Sequence, residues 1–265
     1  MKKSGKRKKK SSLLLKKIGW AIAAIILLLL LYIGFMYGRY WKKLRIAHAT
    51  HYPSFRIDIP DGFSIHGIDV SKHQDVIAWD EVKKMNINGI RINFVYIKAT
   101  EGLESVDDNF KTNWRNAGKQ GIPRGAYHFF IATKSGKEQA QNFIETVKLQ
   151  PGDLPPVLDI EEVYTANPKN MIAEIKDWLT AVEDEYGVKP IIYSYVSFYE
   201  KYLAGSFDDY PLWIAHYLEK GGPRIQRDWT FWQHNEEGHI DGIGSLVDFD
   251  VFNGDSTDFE KLKLK

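Results

Sequence analysis

Residues 155–161 read PPVLDIE, an apolar run opened by proline and closed by two carboxylates two positions apart. In an extended segment residues i and i+2 point to one side, so Asp159 and Glu161 share a face at the end of a strand. A pair of acids so placed can protonate a glycosidic oxygen and stabilise the sugar left behind. It can equally hold a hard divalent cation, and the chemistry is then metal-assisted hydrolysis. A lone DxE also arises when one acid caps the following helix and the other meets solvent. The choice depends on what else the chain delivers to the same place.

The elements that would position the pair are legible from prolines and periodicity. Strand patterns occupy residues 65–70 (IHGIDV), 90–100 and 123–130 (PRGAYHFF), followed by segments opened by Pro156 and Pro190. Proline is tolerated at the first residue of a strand and not inside it, so Pro123, Pro156 and Pro190 mark starts, 33 and 34 residues apart. Between them, Ser135 with Glu138 reads as a capping box, and Asn167-Pro168 opens a helix that Gly187 ends. Met171, Ile172, Ile175, Trp178, Leu179 and Val182 make its apolar stripe, and an earlier helix around Phe110, Trp114 and Ala117 stops at Gly121. Apolar strands alternating with one-sided helices indicate βα units and a parallel sheet.

The rhythm breaks after Pro190. Pro211 opens PLWIAHY after only 21 residues, and TFWQH (230–234) and LVDFDVF (246–252) follow more closely still, too soon for full helical crossovers. The expected fold is an α/β irregular TIM-like β/α barrel of eight strands and about five helices over residues 64–265, with an open α/β sheet as the alternative. In a barrel the C-terminal strand ends converge on one mouth. They carry Asp69, Lys98 with Glu101, Tyr127 with His128, Asp159 with Glu161, Tyr193, His216, Gln233, and Asp248 with Asp250, flanked by Trp213 and Trp232. Acids, amides and aromatic rings suit a carbohydrate, whose ring faces stack and whose hydroxyls need polar partners. The absence of GxSxG, a P-loop and GxGxxG leaves serine hydrolysis and nucleotide chemistry without a signal. No cysteine is present, which excludes disulfides and cysteine-based metal or redox chemistry.

Residues 18–38 contain no charge over 21 positions, long enough to cross a hydrocarbon core of about 30 Å as a helix. Nine Lys and Arg precede residue 38 without one acid, leaving 27 basic against 34 acidic residues beyond it. The body is therefore acidic and a poor partner for nucleic acid. The basic run is read as a topology signal and a contact for anionic lipid. The expected organisation is a cytoplasmic tail (1–17), a single-pass transmembrane anchor (18–38), a spacer (39–63) and an extracytoplasmic barrel. A cleaved signal peptide is the rival, with Ala47-His48-Ala49 as its site.

Eight segments in order, GIDVSKHQ (67–74), YIKATEG (96–102), GAYHFF (125–130), LDIE (158–161), IIYSY (191–195), LWIAHY (212–217), FWQH (231–234) and VDFDVFNG (247–254), resemble the signatures of glycoside hydrolase family 25, the lysozyme-type N-acetylmuramidases. The resemblance covers about residues 65–255. It implies an irregular barrel and cleavage of the β-1,4 bond between N-acetylmuramic acid and N-acetylglucosamine in peptidoglycan glycan strands. The carboxylate cluster without His pairs at metal-ligand spacing predicts that no metal or other cofactor is needed, and a monomer is expected. The resemblance places Glu161 as general acid, Asp159 as the second acid, and Asp69 and Asp248 as the acids of the first and last strands. More loosely, it sets Tyr127, Tyr193, Trp213 and Gln233 along the sugar groove, and Lys98, at a strand end on the same mouth, is expected to contact substrate with them. Asp250 departs from the family, which more often has asparagine there. A tethered peptidoglycan-binding protein without activity would have lost one of the four acids, and none is missing.

Overall fold

The structure, a computed structural model, describes residues 5–45, 48–217 and 219–265. It divides into two compact units, Met1–Ala47 and His48–Lys265. The first is the helix α1 (Gly5–Arg45), within which Lys17–Gly38 is long and apolar enough to cross a membrane, with a mean hydropathy of 2.6. An N-terminal signal sequence would have the same length and composition. Residues 1–4 of the expected tail and Ala47 of the Ala-His-Ala triplet lie outside the described residues.

The second unit begins earlier than the sequence suggested. Residues read as spacer form a hairpin, β1 (Ala49–Tyr52) with β2 (Ile57–Pro60), paired antiparallel from Ala49↔Pro60 to Tyr52↔Ile57. Phe55, Ile57 and Ile59 are buried, and the Phe55 ring meets Phe249 edge-on at 5.3 Å. The reason is visible in IDIP, a short alternation that buries Ile57 and Ile59 and exposes Asp58. A run of four residues is too brief to stand out between loop-forming prolines.

The barrel follows in chain order. Its elements are β3 (His66–Val70), α2 (Trp79–Lys84), β4 (Ile92–Glu101), β5 (Ser105–Val106), α3 (Phe110–Lys119), β6 (Arg124–Phe129), α4 (Gly136–Thr146), β7 (Val157–Asp159), α5 (Pro168–Tyr186), β8 (Ile191–Tyr195), α6 (Val196–Phe198), β9 (Leu212–Ala215), β10 (Phe231–Gly238), β11 (Val247–Phe252) and α7 (Ser256–Leu262). Eight strands close in the order β3-β11-β10-β9-β8-β7-β6-β4, with β4 returning to β3, while β5 is a short addition on β4. Asn167 Oδ1 accepts from Lys169 N at 2.9 Å to start α5, and Gly187, at φ 66°, ends it. Ser135 Oγ accepts from Glu138 N at the start of α4. The fully reciprocal capping box lies elsewhere, between Ser71 and Gln74 on the turn after β3.

The sheet is mixed, contrary to the parallel one expected. β11 runs antiparallel to both β10 and β3. Eight residues, 239–246, join β10 to β11, enough for a hairpin and far too few for a crossover returning a strand in parallel.

Two apolar layers hold the unit. Ile68, Val70, Val95, Ile97, Phe249 and Val251 face outward against the helices, whose contribution includes Met171, Ile175, Trp178 and Leu179. The barrel interior is aromatic: Phe94, Tyr96, Trp213 and Phe231 stack above Phe252 and Phe259, the latter from α7. Two glycines make that interior possible. A Cβ on Gly67 would lie 2.3 Å from the Phe94 ring, and one on Gly125 would lie 2.1 Å from the Tyr96 ring. With the lower barrel filled by rings, polar residues are confined to the opposite end.

Candidate active site

Alternation decides which side chains reach that end. On β4, Phe94, Tyr96 and Lys98 point inward, and a bulge between Lys98 and Thr100 then turns Thr100 outward to share a hydrogen bond of 2.7 Å with His128. On β6 the same alternation sends Tyr127 into the barrel and His128 out against Trp178, 5.7 Å away. On β10 it sends Gln233 inward and Trp232 outward, where its indole N–H donates to His216 O at 2.9 Å. Trp232 therefore does not flank the acids as expected. His128 and Trp232 belong to the helix-facing layer.

The antiparallel course of β11 corrects another expectation. Its acids were placed at a C-terminal strand end, yet the mouth receives its N-terminal end. Asp248, second in the strand, pairs across from Asp69, and Asp250, opposite Gly67, lies deeper. Two residues thus separate a rim carboxyl from an enclosed one.

The mouth holds a cleft of about 350 Å³ lined by Asp69, Lys98, Tyr127, Asp159, Glu161, Tyr193, Trp213, Gln233 and Asp248, all expected there from the sequence, whereas Glu101, His128, His216, Trp232 and Asp250, expected at the same mouth, do not line it. Ser71, His73, Gln74, Phe129, Tyr217 and Glu236 also line it and were not anticipated. Ser71, His73 and Gln74 lie on the turn fixed by the capping box, and Glu236 on the part of β10 that runs past its pairing with β9. Tyr217 closes LWIAHY, and its distance from the strand end hid it. A second recess of about 490 Å³ adjoins the cleft and shares Glu161, Tyr193, Tyr217 and Glu236 with it. Glu161 therefore stands where two stretches of groove meet.

The strand β7 stops at Asp159, and Ile160 N still donates to Tyr193 O, which carries the extended course on to Glu161. Asp159 is buried, and its Oδ1 finds no partner among ordinary donors. Burial raises its carboxyl well above the usual range, and the neighbouring Glu161 raises it further. Glu161 is also raised, mainly by burial. Burial and the like charge of the neighbour together disfavour ionising both carboxyls at once. Lys98 is the counter-charge that favours ionisation of either, and its ammonium lies 2.7 Å from Glu101.

Across the cleft a hydrogen-bonded chain fixes Asp69. Its Oδ2 accepts from Gln233 Nε2 at 2.7 Å, and Gln233 Oε1 accepts from Tyr193 Oη at 2.8 Å and Tyr217 Oη at 2.6 Å. Burial, then Asp250, pushes Asp69 upward, while burial and then Asp69 push Asp248 up to about 9. The Trp213 indole is committed to Asp250 Oδ1 at 2.8 Å, and its ring packs on Tyr96 and Tyr193. It forms the floor of the cleft rather than an open stacking face. Among the described residues no three His, Asp or Glu side chains converge closely enough to hold a metal ion.

An irregular β/α barrel with a carboxyl-lined groove at its mouth is the design of an enzyme that acts on glycans. The profile of the Glycosyl hydrolases family 25 matches residues 68–243, and the chain belongs to that family. It is a glycosidase. "Uncharacterized protein YegX" of Escherichia coli (strain K12) is 47% identical over 201 residues, 76% of this chain and 74% of that protein. "Lysozyme M1" of Streptomyces globisporus is 34% identical, over 73% of this chain and 69% of its own. The solved structure of a family 25 glycosyl hydrolase from Bacillus anthracis superposes with a TM-score of 0.71 at 32% identity, covering 82% of this chain and 98% of that one.

Proposed function

We propose that the chain is a peptidoglycan hydrolase, an N-acetylmuramidase that cleaves the β-1,4 bond between N-acetylmuramic acid and N-acetylglucosamine. The observation that carries this reading is the Asp159–Glu161 carboxyl pair, held partly protonated by burial in the groove of a family 25 glycosidase. Similarity to a lysozyme supports the substrate class. Glu161 gives its proton to the glycosidic oxygen, and the bond to the anomeric carbon breaks with its electron pair on that oxygen. The sugar's own 2-acetamido oxygen assists from the other side of the ring, and Asp159, left ionised, stabilises the positive charge that develops. Asp69 and Asp248 complete the negative surround, with Tyr127, Tyr193, Gln233 and Lys98 positioning hydroxyl and acetamido groups.

The test is digestion of purified peptidoglycan by residues 48–265, with and without a chelator, followed by mass analysis of the products. A fragment starting at residue 57 would cut the β1–β2 hairpin in two. New reducing ends at muramic acid, unaffected by chelation, are expected. New peptide termini would overturn the assignment, and loss on chelation with recovery on adding Mg²⁺ would transfer the carboxyls to metal chemistry.

The same proposal extends to location. The uncharged stretch of α1, preceded by basic residues, acts as a single-pass anchor with its N-terminus in the cytoplasm, where the basic run meets anionic lipid. Residues 39–47 then join span to folded unit, and with residues 39–45 already in α1 their reach stays below about 30 Å, the span of nine extended residues. That is far shorter than a spacer of 39–63 would allow, and it favours cutting of glycan close to the membrane by a monomer. Protease applied from outside the membrane in opened cells is expected to digest the barrel of a membrane-bound, full-length chain. A soluble form lacking the first 49 residues or so would show a cleaved signal instead.

A further inference from the structure

Apolar side chains left in water are not scattered over the folded unit. Among its described residues, the large ones that stand exposed are Val76, Val106, Tyr164, Tyr195 and Leu246. All lie around the barrel's mouth. Val76, Val106 and Tyr164 belong to the connections that follow β3, β4 and β7, Tyr195 ends β8, and Leu246 immediately precedes the inverted β11. Among the same residues none stands at the opposite end of the barrel or on its helical flanks. Apolar exposure gathered on the face that bears the chemistry marks a contact surface for what that face handles.

Val76 and Leu246 share one ledge beside the cleft. Their two segments are joined along their length: Gln74 Nε2 donates to Leu246 O at 2.9 Å, Ser245 Oγ to His73 O at 3.4 Å, and Ala78 N to Gly242 O at 2.9 Å. Gln74 is itself fixed, its Oε1 accepting from Ser71 N at 2.8 Å, and Ser71, His73 and Gln74 line the cleft. The ledge is thus a continuation of the cleft wall. Between these anchors the chain passes through Asp75 at φ 51° and ψ −128°, a conformation that residues other than glycine rarely hold. Val76 emerges from it 83% exposed, while Ile77 turns under to 7%. A β-branched side chain held outward on a stiff turn loses little freedom when something covers it.

What covers the ledge follows from the course of the substrate. Around the closed barrel β3 and β11 lie opposite β7 and β8, so Asp69 and Asp248 stand across the mouth from Asp159 and Glu161. A muramic acid whose anomeric carbon meets the Asp159–Glu161 pair points the far end of its ring toward Asp69 and Asp248. Its 3-O-lactyl group leaves from that far end and carries the stem peptide. We propose that the Val76–Leu246 ledge is a binding site for the stem peptide of the muramic acid held in the cleft, covered by the lactyl methyl and the first amino-acid side chain. Rings that suit a sugar face, Tyr164 and Tyr195, stand on the opposite rim, whereas the ledge offers aliphatic groups that suit a peptide. Lys72, on the same turn, is held only loosely, 3.7 Å from Asp108, and can turn to a stem carboxylate.

This inference rests on the reading of the cleft as a muramidase site, and the two fail separately. The full-length protein in detergent, as wild type and as the double variant Val76→Ser with Leu246→Ser, is assayed on two substrates. One is peptidoglycan glycan with its stems intact, the other the same glycan stripped of stems by an amidase. The wild type is expected to favour the stem-bearing glycan about tenfold in kcat/KM, mainly through KM, and the double variant to favour it less than about threefold. Equal preference in the two proteins, or no preference in the wild type, would overturn the site. Absence of reducing ends from both glycans would instead overturn the muramidase reading, and the site is then decided without turnover. The methyl resonances of wild-type Val76 and Leu246 are followed as N-acetylmuramyl dipeptide is added. Shifts with that probe, absent with N-acetylglucosamine oligomers, support the stem site. Shifts that the sugar oligomers reproduce, or none at all, refute it.

Discussion

Glu161→Gln is expected to leave the barrel folded and glycan binding nearly intact while cutting turnover at least about a hundredfold, the usual contribution of a general acid. Glutamine keeps the shape of the side chain and its place where the two stretches of groove meet, and it has no proton to give the leaving oxygen. It also removes the like-charged neighbour of Asp159, whose carboxyl then ionises more readily. Turnover and binding should therefore separate: kcat falls and KM does not rise. Product release from peptidoglycan, together with affinity for an uncleaved glycan fragment, measures both. Turnover near wild type would remove Glu161 from the proposed role.

The second large effect is on stability, and its sign follows from the direction of the shifts. Asp248 is raised to about 9 from an unfolded value near 3.8, so its contribution is whole below about pH 4 and is lost as pH rises toward 9. Asp69, Asp159, Asp250 and Glu161 are raised as well and act in the same sense. Three buried histidines, His66, His128 and His234, oppose them on the acid side. His66 is lowered to about 4 and His128 and His234 to about 3, all chiefly by burial, so their contribution is whole above about 6.5 and fades as pH falls. More carboxyls than histidines are involved, so stability should peak on the acid side of neutral, between about pH 4 and 6. At pH 7, about three pH units above its unfolded value, Asp248 alone sets an upper bound of about 4 kcal/mol, reduced by its place on a wetted cleft wall. Asp248→Asn should then stabilise residues 48–265 by about 2 kcal/mol at pH 7 and by little at pH 4, read from urea midpoints. A variant equally or less stable at pH 7 would show that the cluster is not under strain.

What the sequence disclosed depended on how local each signal was. Prolines marked strand starts because a missing N–H is a one-residue property, and Asn167-Pro168 with Gly187 bounded α5 for the same reason. The nine cleft residues were legible because strand alternation is also local. The direction of β11 was not, since it is set by the length of the 239–246 connection and by which neighbours remain unpaired. With it went the depth difference between Asp248 and Asp250. Trp232 was misplaced because a tryptophan beside a glutamine on one strand gives no sign of which faces inward. Glu236 and Tyr217 reach the cleft from beyond the strand ends, where spacing in the chain ceases to predict position.

The hairpin β1–β2 gives the barrel a mechanical property. Its open end carries the Asp61 N–H to His48 O bond and the pair Ala49↔Pro60, so tension drawn along the chain from residue 48 loads these first and then each pair in turn. Strands pulled apart in sequence yield at low force, whereas strands sheared along their length resist together. The hairpin would thus give way before β3, releasing the chain from residue 49 to 60, roughly 40 Å when extended. A tug on the chain ahead of residue 48 is absorbed by a dozen residues that carry none of the cleft, and the eight closed strands behind them stay shut.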